Sequence, residues 1–185
     1  MVIKNERDIE SIVRADAWMM RVLMAAESLD LPDWWIGAGF LRNKVWDAIS
    51  GNEFTASRDV DLVYFDASDT TPEADWKLDD YMWLSFPFAE WEVRNQARMH
   101  IKSGCEPFTS TADGIAHWIE TATCVAIRLK GNRLEFLFCY GGEDLYGMIA
   151  RPVPINVPDL HKIFRQRITE KGWRKRWPGL RVVES

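Results

Sequence analysis

The feature that most restricts the fold of this chain is the stretch WWIGAGFLRNKVWDAISGNEFTASRDVDLVYFD, residues 34–66. Within LPDWWIGAG a proline break leads to a short apolar strand and two glycines, Gly37 and Gly39. FLRNKVWDAISG then sets Leu41, Val45, Trp46 and Ile49 on one helical stripe, and Gly51 is a stop signal. RDVDLVYFD is rich in Val, Leu, Tyr and Phe, so it reads as a strand that opens at Asp59 and Asp61. Strand, glycine turn, helix and second strand in that order require a sheet with helices laid against it.

With 185 residues, 47% of them apolar, the chain fills one core well and two poorly, so residues 1–185 are expected to form a single domain. The formal net charge of −5 argues against holding duplex DNA by broad phosphate neutralisation, which needs a positive face. MVIKNERDIESIV is charged throughout, and no run approaches the roughly 18 apolar residues of a membrane helix, so a cytoplasmic protein without a membrane span is expected. Cys105, Cys124 and Cys139 lack C-x-x-C spacing and read as reduced, buried thiols.

Elsewhere, apolar residues at helical spacing predict one helix from Glu6 to about Asp30, and a polar loop leads into another from Ala74 to about Ser85. AEWEVRNQARMHI alternates as a further strand, and STADGIAHWIET starts a helix with the cap pair Ser110 and Asp113. TCVAIRLKGNRLEFLFCYG reads as a hairpin about Gly131-Asn132, pairing Val125 with Phe138, Ile127 with Phe136, Leu129 with Leu134 and Arg128 with Glu135. GEDLYGMIARPVPINVP gives a short helix and an extended segment, and Asp159 to Trp177 reads as a final basic helix. These elements, with a C-terminal β-hairpin and a basic helix, read as an α/β chain, or α+β by another scheme.

Asp59 and Asp61 lie two apart on a strand, so their carboxylates project from one face and repel each other. A divalent cation relieves that repulsion, and hard oxygen ligands with open positions suit Mg²⁺ or Mn²⁺ completed by substrate phosphates. The glycine turn offers free amides at a helix start where phosphate oxygens can approach. Dehalogenase-like phosphatases and many glycosyltransferases also use Asp-x-Asp, but after an apolar strand; here LVYF follows the aspartates, which disfavours both.

GAGFLRNKVWDAISG, RDVDLVYFD, VRNQARMH and ETATCVAIRL together resemble a family of uncharacterised bacterial nucleotidyltransferase-like proteins, over roughly Asp33 to Leu180. That family is similar in turn to the wider superfamily of DNA polymerase β-type nucleotidyltransferases, whose glycine turn and Asp-x-Asp are matched. The resemblance implies a small mixed β-sheet with flanking helices, and transfer of a nucleoside monophosphate from a nucleoside triphosphate to an acceptor hydroxyl. It implies a metal on Asp59 and Asp61 and a triphosphate on Gly37 and Gly39, with Ala38-Gly39 where Gly-Ser or Gly-Gly is usual. The superfamily site has a third carboxylate on a neighbouring strand, for which Glu92 is the candidate here; Glu120, Asp113 or no third carboxylate at all are the alternatives. Arg42, Asn43 and Arg58 are candidate nucleotide contacts; Arg94, Asn95, Gln96 and Arg98 are candidate contacts to phosphates or the acceptor.

The acceptor expected first is a small molecule, with protein or RNA as alternatives. The rival reading is a module on the same fold that binds or senses a nucleotide without transferring it. A third is an RNA-modifying or toxin–antitoxin component whose basic C-terminal run, Lys162 to Arg181, meets RNA. His100, His117 and His161 form no ligand spacing, and most of the ten tryptophans fall on apolar stripes and read as core.

Overall fold

The structure, a computed structural model, describes residues 1–52, 59–155 and 159–184. Five strands, β1 (Trp35–Gly37), β2 (Asp59–Tyr64), β3 (Glu90–Asn95), β4 (Val125–Lys130) and β5 (Arg133–Phe138), form a mixed sheet in the order β3-β2-β1-β4-β5. Only β2 and β3 run parallel in this sheet, and the crossover that a parallel pair requires is the helix α4 (Pro72–Ser85). This helix also covers the edge of β3. Asp79 accepts the Val93 N–H at 2.7 Å and Asp75 accepts the Asn95 N–H at 3.0 Å, so acid side chains satisfy amides that a bare edge would leave open.

Alternation along the strands divides the apolar residues between two faces. On the first, Ile36, Val60, Leu62, Val125 and Ile127 pack with α1 (Glu6–Arg14), α2 (Ala17–Glu27) and α3 (Gly39–Ser50). Phe164 and Ile168 of α8 (Leu160–Glu170), Trp173 of α9 (Trp173–Arg176) and Trp177 close the same layer. On the second face Trp35, Val63, Cys124 and Ala126 meet Ile115 of α6 (Thr111–Ala116), Val153 and Leu160. Asp59 and Asp61 share the parity of Val63 and so belong to this second face. The expected hairpin forms in the expected register around Gly131, whose φ of 60° the turn requires. On its core face Val125, Ile127, Leu129 and Leu134 are buried, and Phe136 and Phe138 pack half-buried against the same core.

Several elements differ from the sequence reading, each for a local reason. The first helix is two, because the Asp16 carboxylate accepts the N–H groups of Trp18 and Met19 and restarts the helix at Ala17. The strand predicted through Ile101 stops at Asn95, whose side chain accepts the Ala97 N–H and begins α5 (Gln96–Ser103). α6 ends at Ala116 because the chain beyond it pairs instead with residues 151–153: Thr121 N–H bonds Arg151 O and Val153 N–H bonds Ile119 O. The final basic helix breaks at Gly172, where φ is 61°. After the short helix α7 (Glu143–Tyr146), β6 (Ile149–Ala150) pairs with β7 (Arg181–Val182), a two-stranded parallel contact without a sequence signal. No helix among the described residues is long and apolar enough to cross a membrane. All three cysteines are free, and burial pushes Cys139 up to about 11 and Cys124 well above its ordinary range.

Candidate active site

The glycine turn joins β1 to α3 through Ala38, which adopts φ 54° and ψ −125°, a conformation that glycine favours. No side chain caps the start of α3, so its first amides remain available to an anion. Both glycines are needed for space, and part of that space is used by the protein itself. A Cβ on Gly37 would lie 2.4 Å from the tip of the Trp118 ring, and one on Gly39 would lie 3.1 Å from Asn43 Nδ2 and 3.5 Å from Arg42 Nη2. Gly37 thus opens toward an indole, and Gly39 toward two polar side chains that fold back over the turn.

Beside this turn the sheet builds a row of acids. The β1–β2 ladder pairs Trp35 with Val63 and Ile36 with Leu62, so the glycine end of β1 lies toward the aspartate end of β2. The parallel β2–β3 ladder sets Asp61 opposite Glu92 and Asp59 opposite Glu90. Burial raises the Asp61 carboxyl to about 6, and repulsion from Glu92 and then Asp59 adds to the rise, while Arg42 and Lys171 oppose it. Glu92 is 59% exposed at its side chain and touches Arg94 Nε at 3.3 Å. Among the described residues no three His, Cys, Asp or Glu side chains are drawn together as a ready-made metal cage. The donor set is nonetheless a hard-oxygen one, and Mg²⁺ characteristically uses one or two protein carboxylates and fills its shell with water and substrate oxygens.

Cations face the acids from the other side. Arg42 is only 6% exposed and donates to Thr123 Oγ1 at 2.7 Å and to Asn43 Oδ1 at 2.9 Å, with its guanidinium 4.3 Å from the Trp173 ring. Its Nε is buried without an acceptor, and burial lowers the group to about 10, so it stays charged at neutral pH. Glu120 is fully buried and accepts Arg167 Nε at 2.7 Å; Lys171 follows one turn later, exposed, at the end of α8. Glu120 is therefore committed to Arg167, and Asp113 to the Thr109 N–H at 2.9 Å near the start of α6.

The remaining candidates are held by protein partners. Arg94 donates to Asp79 at 2.7 Å, and Arg98 pairs with the buried Asp75. Asn95 ties the loop carbonyls of Asp66 and Asp69, and Gln96 packs on Gly114 and donates to Arg94 O at 3.2 Å. Arg58 lies outside the described residues. Sequence reasoning assigned no role at the turn to Trp118, Thr123 or the Glu120–Arg167 pair. Thr123 carries no chemical signal of its own, whereas Lys171 stood in the basic C-terminal run.

With this geometry in place, the nucleotidyltransferase family profile matches residues 24–182. An NMR structure described as a CCA-adding enzyme head domain superposes with a TM-score of 0.88 at 30% identity, over 99% of this chain and 98% of that one. A CCA-adding enzyme in complex with CTP gives 0.61 at 14% identity, and an apo tRNA-processing enzyme 0.51 at 19%, both likenesses of fold alone. The chain spans 43% and 46% of the length of those two enzymes, with 95% and 99% of its own residues covered. No curated protein matches it. Profile, sheet order and turn agree: the chain belongs to the nucleotidyltransferase family.

Proposed function

We propose that this protein is a metal-dependent nucleotidyltransferase that moves a nucleoside monophosphate from a nucleoside triphosphate to an acceptor hydroxyl. The observation that carries the reading is the Asp61–Glu92 pair across β2 and β3, at the strand ends beside the glycine turn and the uncapped start of α3. Asp59 and Asp61 would hold Mg²⁺ or Mn²⁺, with Glu92 as third carboxylate. Such an ion, when bound, neutralises charge on the attacking and leaving oxygens of an in-line displacement.

The chain's own residues do the positioning. The first amides of α3 and the charged Arg42 form the anion-holding side, and Lys171 adds a flexible cation opposite Asp61. Glu92, directly across from Asp61 and largely exposed, is placed to accept the proton of an incoming hydroxyl. The acceptor oxygen then forms its bond to the α-phosphorus as the bond to the β-phosphate oxygen breaks and pyrophosphate leaves. Arg94, Asn95, Gln96 and Arg98 shape the strand end that carries Glu92. CTP in one of the structurally similar enzymes supports a nucleoside triphosphate as donor. The acceptor we place first is a small molecule in the cytoplasm.

The test is pyrophosphate release from each triphosphate, with Mg²⁺ or Mn²⁺, against panels of small alcohols, sugars, proteins and RNA. Asp59→Asn with Asp61→Asn is expected to abolish release while circular dichroism stays native. Tight nucleotide binding without release under every condition would instead identify a holding module.

A further inference from the structure

The segment that carries the chain from α6 into β4 touches the glycine turn twice. Near its end Thr123 Oγ1 accepts Arg42 Nη1 at 2.7 Å. Near its start the Trp118 ring fills the space that a Cβ on Gly37 would need, since its edge atoms Cη2 and Cζ3 would lie 2.4 and 2.8 Å from that Cβ. Gly37 has the strand parity of Trp35, and Trp118 packs with Trp35 on the second face, so the indole stands on the face that bears Asp61. The backbone beneath it is fixed: Trp118 N–H bonds Ile115 O and Val153 N–H bonds Ile119 O, both at 3.1 Å. The ring is therefore set at the turn in advance of any ligand.

Its bonding capacity is unused. Indoles elsewhere are committed: Trp46 donates to Leu145 O at 3.0 Å, Trp177 donates to Asp47, and Trp35 donates to Asp33 while Arg128 covers its ring at 4.2 Å. Trp118 is half-buried, and among the described residues its N–H has no acceptor and its ring no aromatic or cationic partner. An indole is a flat π surface with one polar donor. Left open beside amides and a cation suited to phosphate, it matches the part of a nucleoside triphosphate that those groups do not hold, the base. Sheet order separates it from the acceptor. Glu92 is on β3, the aspartates are on β2, and the turn under Trp118 closes β1, so the hydroxyl enters on one flank and the indole stands on the other. A stacking platform accepts every base, because each has a π-face, and ranks them by stacking strength, purines above pyrimidines.

We propose that Trp118 is the nucleobase platform of the donor site and gives this protein a base-tolerant, purine-favouring preference among triphosphates. The assignment rests on the nucleotidyltransferase reading above, and the experiment separates the two. Calorimetric titration of the full chain with ATP, CTP and inorganic tripolyphosphate, each with Mg²⁺, measures base and phosphate recognition apart. The parent should bind ATP more tightly than CTP. Trp118→Leu should weaken ATP about tenfold or more, CTP less, and tripolyphosphate not at all, with native circular dichroism. ATP, and not tripolyphosphate, should quench the parent's tryptophan emission, and Trp118→Phe, which keeps a ring in place, should bind ATP with that quench lost. Equal losses of ATP and tripolyphosphate in Trp118→Leu would mean that the ring only supports the turn, and would overturn the proposal. So would an ATP affinity indifferent to Trp118→Leu, a quench that survives Trp118→Phe, or a parent that prefers CTP. A parent that binds neither nucleotide nor tripolyphosphate overturns the donor-site reading itself.

Discussion

Two aspartates on the two sides of the turn, Asp47 buried and Asp61 half-buried, live in opposite surroundings. Asp47, on α3 and 1% exposed, accepts Arg176 at 2.6 and 3.2 Å and the Trp177 indole at 2.7 Å. Asp61, on β2, faces Glu92 and Asp59 and has its carboxyl raised to about 6. One charge is fully answered by the protein and serves to hold the C-terminal segment on α3. The other has acids as its nearest strand neighbours, only partly offset by Arg42 and Lys171, a cost to the fold that a ligand can remove. Where a chain spends stability without structural return, the site is a candidate for chemistry.

The contrast can be broken from either end. Asp47→Ala removes the buried carboxylate that the Trp177 N–H and Arg176 share and should cost about 3 kcal/mol in denaturant unfolding. Asp61→Asn should do the reverse. Its folded carboxyl keeps a proton up to about pH 6 and its unfolded one only to 3.8, so ionisation opposes folding. That penalty is complete above pH 6, shrinks as pH falls toward 3.8 and vanishes below it. The variant should therefore gain about 2–3 kcal/mol at pH 7.5 and progressively less toward pH 4.5. In the parent, thermal stabilisation by Mg²⁺ should grow over the same interval, since proton and metal compete for the same oxygens. Equal stability of parent and Asn variant at all pH values would erase the distinction between the two aspartates.

Smaller changes sharpen the picture at the turn. Gly37→Ala drives a methyl into the Trp118 ring and should cost about 1–3 kcal/mol. Adding Trp118→Ala should recover part of that loss in a double-mutant cycle, which a purely conformational role for Gly37 would not allow. Ala38→Gly releases the positive φ and should raise stability by about 1 kcal/mol, read as a shifted melting temperature.

The parts of the fold legible in the sequence were those set by neighbours along the chain. Gly131-Asn132 with alternating flanks defines a hairpin, and Gly37 and Gly39 before a helical stripe define the turn. Asp59 and Asp61 share a face because a strand alternates. The placement of Glu92 across from Asp61 follows from parallel pairing after a crossover, which sequence order suggests but register must settle. What was hidden depends on long-range competition. Asn95 stops a plausible strand because its side chain has a helix amide and two loop carbonyls to bind. Arg42 finds Thr123, 81 residues away, and no periodicity announces such a pair.

The clasp between Asp47 and Trp177 spans 130 residues. At about 5–20 residues per second of synthesis, α3 waits roughly 7–25 s for the segment that neutralises it. During that interval Asp47 lacks the Arg176 and Trp177 donors that later close over it. A fragment that stops before Arg176 would therefore keep Asp59, Asp61 and Glu92 and lose the clasp on α3.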